Sequence, residues 1–133
     1  MAYVDSNVFI HAALNQDQKA MHAKEILLGI AKGKMIAQTS ALTWDEFVWA
    51  YEKIAGKEKA RVEGKAFIQF PNLQFIPADL AVIAEAQKLR EKYDIAPRDA
   101  IHAATAILKG IREIVSDDSD FDQIKEIKRV ALR

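Results

Sequence analysis

The sequence predicts an α/β domain built on a central, mostly parallel sheet, and three observations carry that prediction. Short runs of strand character recur at residues 2–5, 35–38, 73–76 and 113–115. Between them lie longer segments with apolar residues at helical spacing, the alternation of strand and helix that parallel sheets require. Two acids, Asp5 and Asp118, stand at or just beyond strand candidates, at the carboxyl ends where open parallel sheets hold their ligands. At 133 residues and 50% hydrophobic composition, residues 1–133 make one compact domain with a substantial core.

The elements follow in order. Residues 2–5 (Ala-Tyr-Val-Asp) are a buried-strand candidate, and Ser6 is a natural N-cap for a helix through Val8, Phe9, Ile10 and Ala13. A second helix fits residues 17–32, with Ala20, Ala23, Ile26, Leu27 and Ile30 on one face and Gly33 as its stop. Residues 35–38 read as a strand. Ser40 then opens a helix to about residue 54, whose apolar stripe is Trp44, Phe47, Val48, Tyr51 and Ala55. Gly56 closes it, and the charged stretch from Lys57 starts a helix that reaches Phe70 before Pro71. Residues 73–76 form the third strand, and Asp79 caps a helix carrying Val82, Ile83, Ala86, Leu89 and Tyr93. Ile95-Ala96-Pro97 makes a break, because proline restricts both itself and its predecessor. The helix over about 98–109 is rich in small residues, Ala100, Ala103, Ala104 and Ala106, so it can pack closely on a sheet before Gly110 ends it. Residues 113–115 are the fourth strand, an acidic turn fills 116–121, and 129–131 add a fifth strand candidate. There is no internal repeat, low-complexity tract or linker.

Composition narrows the function classes. Lys+Arg and Asp+Glu are equal at 19 each, so no overall basic field draws in nucleic acid, and any polyanion must be held locally. The absence of cysteine removes disulfides, thiolate zinc sites and a cysteine nucleophile, and fits a reducing interior. Histidine is limited to His11, His22 and His102. The start lacks a basic stretch followed by an apolar one, and no apolar run approaches the roughly 20 residues that span a bilayer, so the expectation is a soluble, cytoplasmic protein.

Asp5, Glu46, Asp99 and Asp118 each stand where a core-forming element meets a turn or a helix start. Unpaired buried charge is costly, so carboxylates that a fold gathers at one pocket usually hold a cation. Hard divalent ions such as Mg²⁺ or Mn²⁺ take carboxylate and water oxygens and need neither histidine nor thiolate. On the predicted sheet Asp5, Asp118 and Asp120 face one edge, with Asp99 and Glu46 near helix N-termini that can point there.

Three segments resemble the motifs of PIN domains: Tyr3-Val-Asp5-Ser-Asn-Val-Phe-Ile10, Arg98-Asp99-Ala-Ile-His-Ala-Ala-Thr-Ala106 and Val115-Ser-Asp-Asp118-Ser-Asp120-Phe121. The resemblance covers the whole chain and is closest to the VapC-type toxins of prokaryotic toxin-antitoxin pairs. It implies a three-layer α/β/α fold with four to five short strands and a Mg²⁺- or Mn²⁺-dependent ribonuclease. It also implies a small antitoxin as partner. Position by position, it makes Asp5, Glu46, Asp99 and Asp118 the acidic quartet, with Asp120 as an accessory acid. Where the family usually has Thr this chain has Ser116, which keeps the hydroxyl.

Each residue also has a plainer explanation. Asp5 is itself a good N-cap, Thr43-Trp-Asp-Glu46 spells a capping box, and Asp99 in a first helical turn is favoured by the helix dipole. Asp45 beside Glu46 and Asp117 beside Asp118 leave the facing acid open at two sites. His102, one turn beyond Asp99, is a general-base or a packing candidate. Ser6, Asn7 and Ser116 are candidates to support Asp5 or a metal-bound water from behind. Arg98 and Lys53, and after them Lys57 and Arg112, are candidate RNA phosphate contacts. Trp44, Trp49 and Tyr51 place aromatics on more than one face of a helix, either as core or as an interface for a second copy or a partner helix. Two further functions compete with RNA hydrolysis. One is a PIN-like binding module without activity. The other is a haloacid-dehalogenase-like phosphatase using Asp5, in which the second Asp of that chemistry is replaced by Asn7.

Overall fold

The computed structural model describes residues 1–133. Strand β1 (Ala2–Val4) leads into α1 (Ser6–Leu14) and α2 (Gln18–Ala31), and β2 (Ala37–Ser40) into α3 (Leu42–Ala55) and α4 (Lys57–Ile68). Strand β3 (Leu73–Ile76) leads into α5 (Leu80–Lys92) and α6 (Pro97–Leu108), and β4 (Glu113–Val115) runs through a 3₁₀ turn (Ser119–Gln123) to β5 (Lys128–Val130). The sheet has the order β3-β2-β1-β4-β5, and every pairing is parallel.

The chain steps outward from β1 through β2 to β3, then returns to the other side of β1. Strand order therefore reverses between β1 and β4, and connections that diverge there leave a crevice outside the carboxyl ends of the two strands. Val4 is in register with Val115. Asp5 and Ser116 are consequently the first residues beyond the two strands on either side of the crevice, and the Asp5 N–H donates to Val115 O at 3.0 Å.

Alternation along the central strand sorts the core into two layers. Tyr3 packs with Val82, Ala86 and Leu89 of α5 and Ala100 and Ala103 of α6. Ala2 and Val4 pack on the opposite face with Phe9, Ala23, Ile30, Phe47 and Phe67 from α1 to α4. The result is the expected three-layer α/β/α arrangement. The alanines of α6 are buried completely, which brings that helix, and the Asp99 it carries, close against the sheet. The other layer is anchored by Phe67, whose ring stacks on Phe47 at 5.0 Å and meets Phe9 edge-on at 4.9 Å. Burying side chains of this size contributes about 2 to 3 kcal/mol each.

Several local expectations shift. Asp5, not Ser6, is the N-cap of α1, its side chain accepting from Ser6 N. The second strand is 37–40 rather than 35–38, because Ile36 is about half exposed while the polar trio Gln38, Thr39 and Ser40 is buried and hydrogen-bonded. Thr39 Oγ1 donates to Val4 O at 2.7 Å, which is how a polar residue comes to lie in a sheet interior. Ser40 thus ends a strand instead of opening a helix, although its Oγ accepts from Leu42 N at 3.0 Å. Helix α4 stops at Ile68 instead of Phe70, and β5 is 128–130 instead of 129–131. Trp44 leaves the predicted stripe and is 42% exposed. No helix is long and apolar enough to cross a membrane.

Candidate active site

Asp5 is fixed from three sides. Its Oδ1 accepts from Ser6 N at 2.8 Å, its Oδ2 accepts from Ser116 Oγ at 2.7 Å, and His102 Nε2 lies 3.5 Å from Oδ1. Burial raises its pKa above the ordinary value. His102 and the Ser116 hydroxyl oppose that rise, while the charge of Glu46 adds to it. Ser116 is fully buried and holds the crevice together through one oxygen, because its Oγ also accepts from Asp118 N at 3.0 Å and from Asn7 Nδ2 at 3.1 Å. Asn7 Oδ1 in turn accepts from Asp117 N at 3.2 Å. Ser6, Asn7 and Ser116 therefore form a polar frame behind Asp5 and Asp118.

In front of that frame, Asp99, Asp118 and Asp120 each place one carboxylate oxygen within 4.8 Å of the others. Asp99 comes from the first turn of α6, and Asp118 caps the 3₁₀ turn, its side chain accepting from Asp120 N at 2.9 Å. Partial burial and then the charges of Asp118 and Asp5 push the Asp99 pKa from 3.8 up to about 7. Asp5 is not part of the three-oxygen cluster, yet it is close enough for its charge to act on Asp99. Gathered like charges of this kind are unfavourable without a counterion. Three carboxylate oxygens gathered at this spacing could share one ion, and the all-oxygen donor set suits a hard cation such as Mg²⁺ or Mn²⁺.

Glu46 and His102 form the inner wall. His102 Nε2 is 2.5 Å from Glu46 Oε1, and its Nδ1 is 2.5 Å from the Tyr3 hydroxyl. Tyr3 and His102 are both completely buried. Burial pulls the His102 pKa down, but the hydrogen bond to Glu46 and the charges of Asp5 and Glu46 outweigh it, and the net direction is up. Burial, with the charge of Asp5, raises Tyr3 well above the usual phenol value.

The two ambiguous pairs separate by direction. Glu46 points inward to His102, whereas Asp45 is exposed and lies 3.9 Å from Arg98. Asp118 joins the cluster, whereas Asp117 turns to Lys19 at 2.9 Å and His11 at 3.4 Å. The capping box does not form. Thr43 Oγ1 bonds Thr39 Oγ1 at 2.6 Å, and Glu46 spans to another helix. Among the candidate phosphate contacts, Arg98, Lys57 and Arg112 are exposed, while Lys53 sits 3.2 Å over the Trp49 ring. Tyr51 packs against Phe47, and Trp49 is 57% exposed.

Two residues near the site escaped sequence reasoning. Tyr3 looked like core alone, and its hydroxyl partner is 99 positions away. Arg129 was only a strand residue, yet its guanidinium clasps Asp122 at 2.8 and 2.9 Å and reaches Ser116 O at 3.3 Å. Nothing local distinguishes it from neighbouring Lys128.

The chain matches the PIN domain family over residues 2–127. No curated protein matches its sequence significantly. Among solved structures it is similar to Mycobacterium tuberculosis VapC20, described as a sarcin-ricin loop cleaving toxin, at TM-score 0.78 and 17% identity, over 94% of this chain and 95% of that one. It is also similar to VapBC2 from Rickettsia felis bound to a promoter DNA fragment, at TM-score 0.77 and 18% identity, over 100% of both chains. A toxin-antitoxin complex from Klebsiella pneumoniae gives TM-score 0.70 and 21% identity, over 96% of both chains. At such identities the likeness is one of fold.

Proposed function

The chain belongs to the PIN domain family, a family of nucleases, and from that premise we propose that it is a metal-dependent endoribonuclease acting as the toxin of a toxin-antitoxin pair. The observation that carries this reading is the Asp99, Asp118 and Asp120 cluster beside Asp5, placed at the switch point of a parallel sheet. Asp99, Asp118 and Asp120 would hold Mg²⁺ or Mn²⁺, with Asp5 as the fourth carboxylate within reach. When bound, such an ion supplies Lewis acidity toward water and toward the phosphodiester oxygens.

The side chains do the remaining work. Ser6 and Ser116 hold Asp5 in one rotamer, and Ser116 also fixes the backbone of Asp118, so two carboxylates that follow different strands share one support. Glu46, with Oε1 engaged by His102, would keep its other oxygen as an acceptor for a water at the inner wall of the site. Arg98, exposed at the start of α6, would contact a phosphate of the substrate, giving up its 3.9 Å contact with Asp45. Lys53, engaged with Trp49, is the weaker candidate.

The antitoxin reading draws on the complexes to which the fold is similar and on one surface of this chain. Phe9, Ala12, Leu27, Phe67 and Phe70 line an apolar groove between α1, α2 and α4, suited to an apolar segment of a small partner protein. The exposed tryptophans of α3 would serve a second copy of the chain. The phosphatase alternative loses its footing because Asn7, where a second acid is needed, is committed to Ser116 Oγ and Asp117 N. The test is cleavage of RNA in Mg²⁺ or Mn²⁺. Wild type should cut, and EDTA, Asp5→Asn or Asp99→Asn should each remove the activity. Undiminished cleavage in Asp99→Asn would reject the site, and failure to bind Mn²⁺ in calorimetry would favour a binding module without activity.

A further inference from the structure

His102 was a candidate general base or a packing residue, and the structure gives it a different role. It is completely buried, so it does not meet an incoming substrate. Both ring nitrogens are nonetheless engaged, Nδ1 with Tyr3 and Nε2 with Glu46. We propose that His102, pinned by Tyr3, is a positioning residue that holds the Glu46 carboxylate in the active site. This rests on the nuclease reading above for its functional consequence, though not for its geometry.

The direction of the hydrogen bonds follows from one group whose role is fixed. The backbone N–H of Ser40 can only donate, and it donates to Tyr3 Oη at 3.0 Å. The phenol hydrogen then needs an acceptor. His102 Nδ1, 2.5 Å away, is the remaining partner. With Nδ1 accepting, the imidazole hydrogen is on Nε2, where it faces Glu46 Oε1 and, at 3.5 Å, Asp5 Oδ1. Protonation of the ring would add a hydrogen at Nδ1 and reverse the bond to Tyr3 Oη, but it leaves the Nε2 donor to Glu46 in place.

The chain of bonds therefore runs from the main chain at the end of β2, through Tyr3 of β1 and His102 of α6, to Glu46 of α3. Its two inner members cannot reorient without opening the core between the sheet and α5 and α6. Glu46 has no such constraint of its own, since a glutamate at a helix surface has three free side-chain torsions and freezing them costs conformational entropy. Its side chain is 15% exposed, at the boundary where it can turn either inward or to solvent. The imidazole N–H decides that choice. It also stands between Glu46 and Asp5, which would otherwise repel each other across the wall of the site.

Four variants and one structure test this. His102→Leu keeps bulk and removes the donor, His102→Gln restores an N–H near the Nε2 position, Tyr3→Phe removes only the hydroxyl, and Glu46→Gln removes the carboxylate. His102→Leu should lower kcat for RNA cleavage by about 10- to 100-fold with KM little changed, and His102→Gln should recover most of it. In the Glu46→Gln background, His102→Leu should cost no more than about threefold, because residues that act through one another are not additive. A crystal structure of metal-free His102→Leu should show the Glu46 side chain swung away from Asp5 on an unchanged backbone. If His102→Leu does not fold, Tyr3→Phe carries the same comparison with a smaller loss.

Additive losses in the double variant, or a Glu46 side chain that stays in place without His102 or the Tyr3 hydroxyl, would overturn the proposal. Absence of RNA cleavage by wild type would overturn the ribonuclease reading instead. The position of Glu46 in the variant structure would still decide the positioning role.

Discussion

Replacing Asp99 by Asn should stabilise the metal-free protein while destroying its activity. Asp99 has its pKa pushed from 3.8 to about 7 by burial and by its carboxylate neighbours. A carboxylate raised in the folded state contributes its full share of stability below the unfolded pKa, near 3.8, and loses it as pH rises through about 7. That interval corresponds to about 4 kcal/mol if fully transmitted. Asp99 is only partly buried, so solvent screening leaves about half, roughly 2 kcal/mol. The dipole of α6 favours a negative charge in its first turn by about 0.5 kcal/mol, a smaller effect of opposite sign. Thermal unfolding in EDTA at pH 8 should therefore show Asp99→Asn melting about 4 to 7 °C above wild type. The gap should close toward pH 4. Saturating Mn²⁺ should raise the wild-type midpoint and move that of the variant far less. A variant that melts below wild type in EDTA at pH 8 would refute the reasoning, because Asp99 would then be a stabilising group rather than a repelled one.

Three other outcomes follow from the same geometry. Apparent Mn²⁺ affinity, measured by calorimetry, should rise between pH 5 and pH 7 and level off above about 7, because the metal must displace the proton held on Asp99; a flat profile over that range would contradict it. Ser116→Ala deprives Asp5 Oδ2 and Asp118 N of their shared partner and should lower kcat/KM by about 10- to 100-fold, while Ser116→Thr keeps the hydroxyl and most of the activity; equal activity in both variants would remove Ser116 from the site. Asp117→Asn should leave cleavage within about twofold of wild type, since Asp117 serves Lys19 and His11, and a loss of tenfold or more would return Asp117 to the metal side of the turn.

The layout of the fold was legible because its signals are periodic and local. Alternating strands and helices, Gly33, Gly56 and Gly110 past helix ends, and Asp79 before a helix all sat where the structure uses them. The second strand was misplaced by two residues for a physical reason. Apolar Met35 and Ile36 look more like a strand than Gln38-Thr39-Ser40, but register with β1 and β3 buries the polar trio, and Thr39 Oγ1 and Gln38 Nε2 find partners across the sheet while Gln38 Oε1 has none. At the site, local reasoning placed Asp5 and Asp118 near one sheet edge because both stand at or just beyond strands. It could not separate Asp45 from Glu46, or Asp117 from Asp118, since adjacent residues differ only in direction and direction is set by distant partners. His102, Arg98, Lys19 and His11 supply those partners. The link from Tyr3 through His102 to Glu46 was beyond reach for the same reason, because it joins three elements separated by most of the chain.

Anomalous diffraction from a Mn²⁺-soaked crystal tests the central claim most directly. A manganese peak within about 2.4 Å of oxygens from Asp99 and Asp118, with Asp5 or Asp120 completing the set directly or through water, is the expected result. A crystal of RNA-cleaving protein with no manganese in that crevice, or with manganese bound only by Asp45 and Asp117, would contradict it.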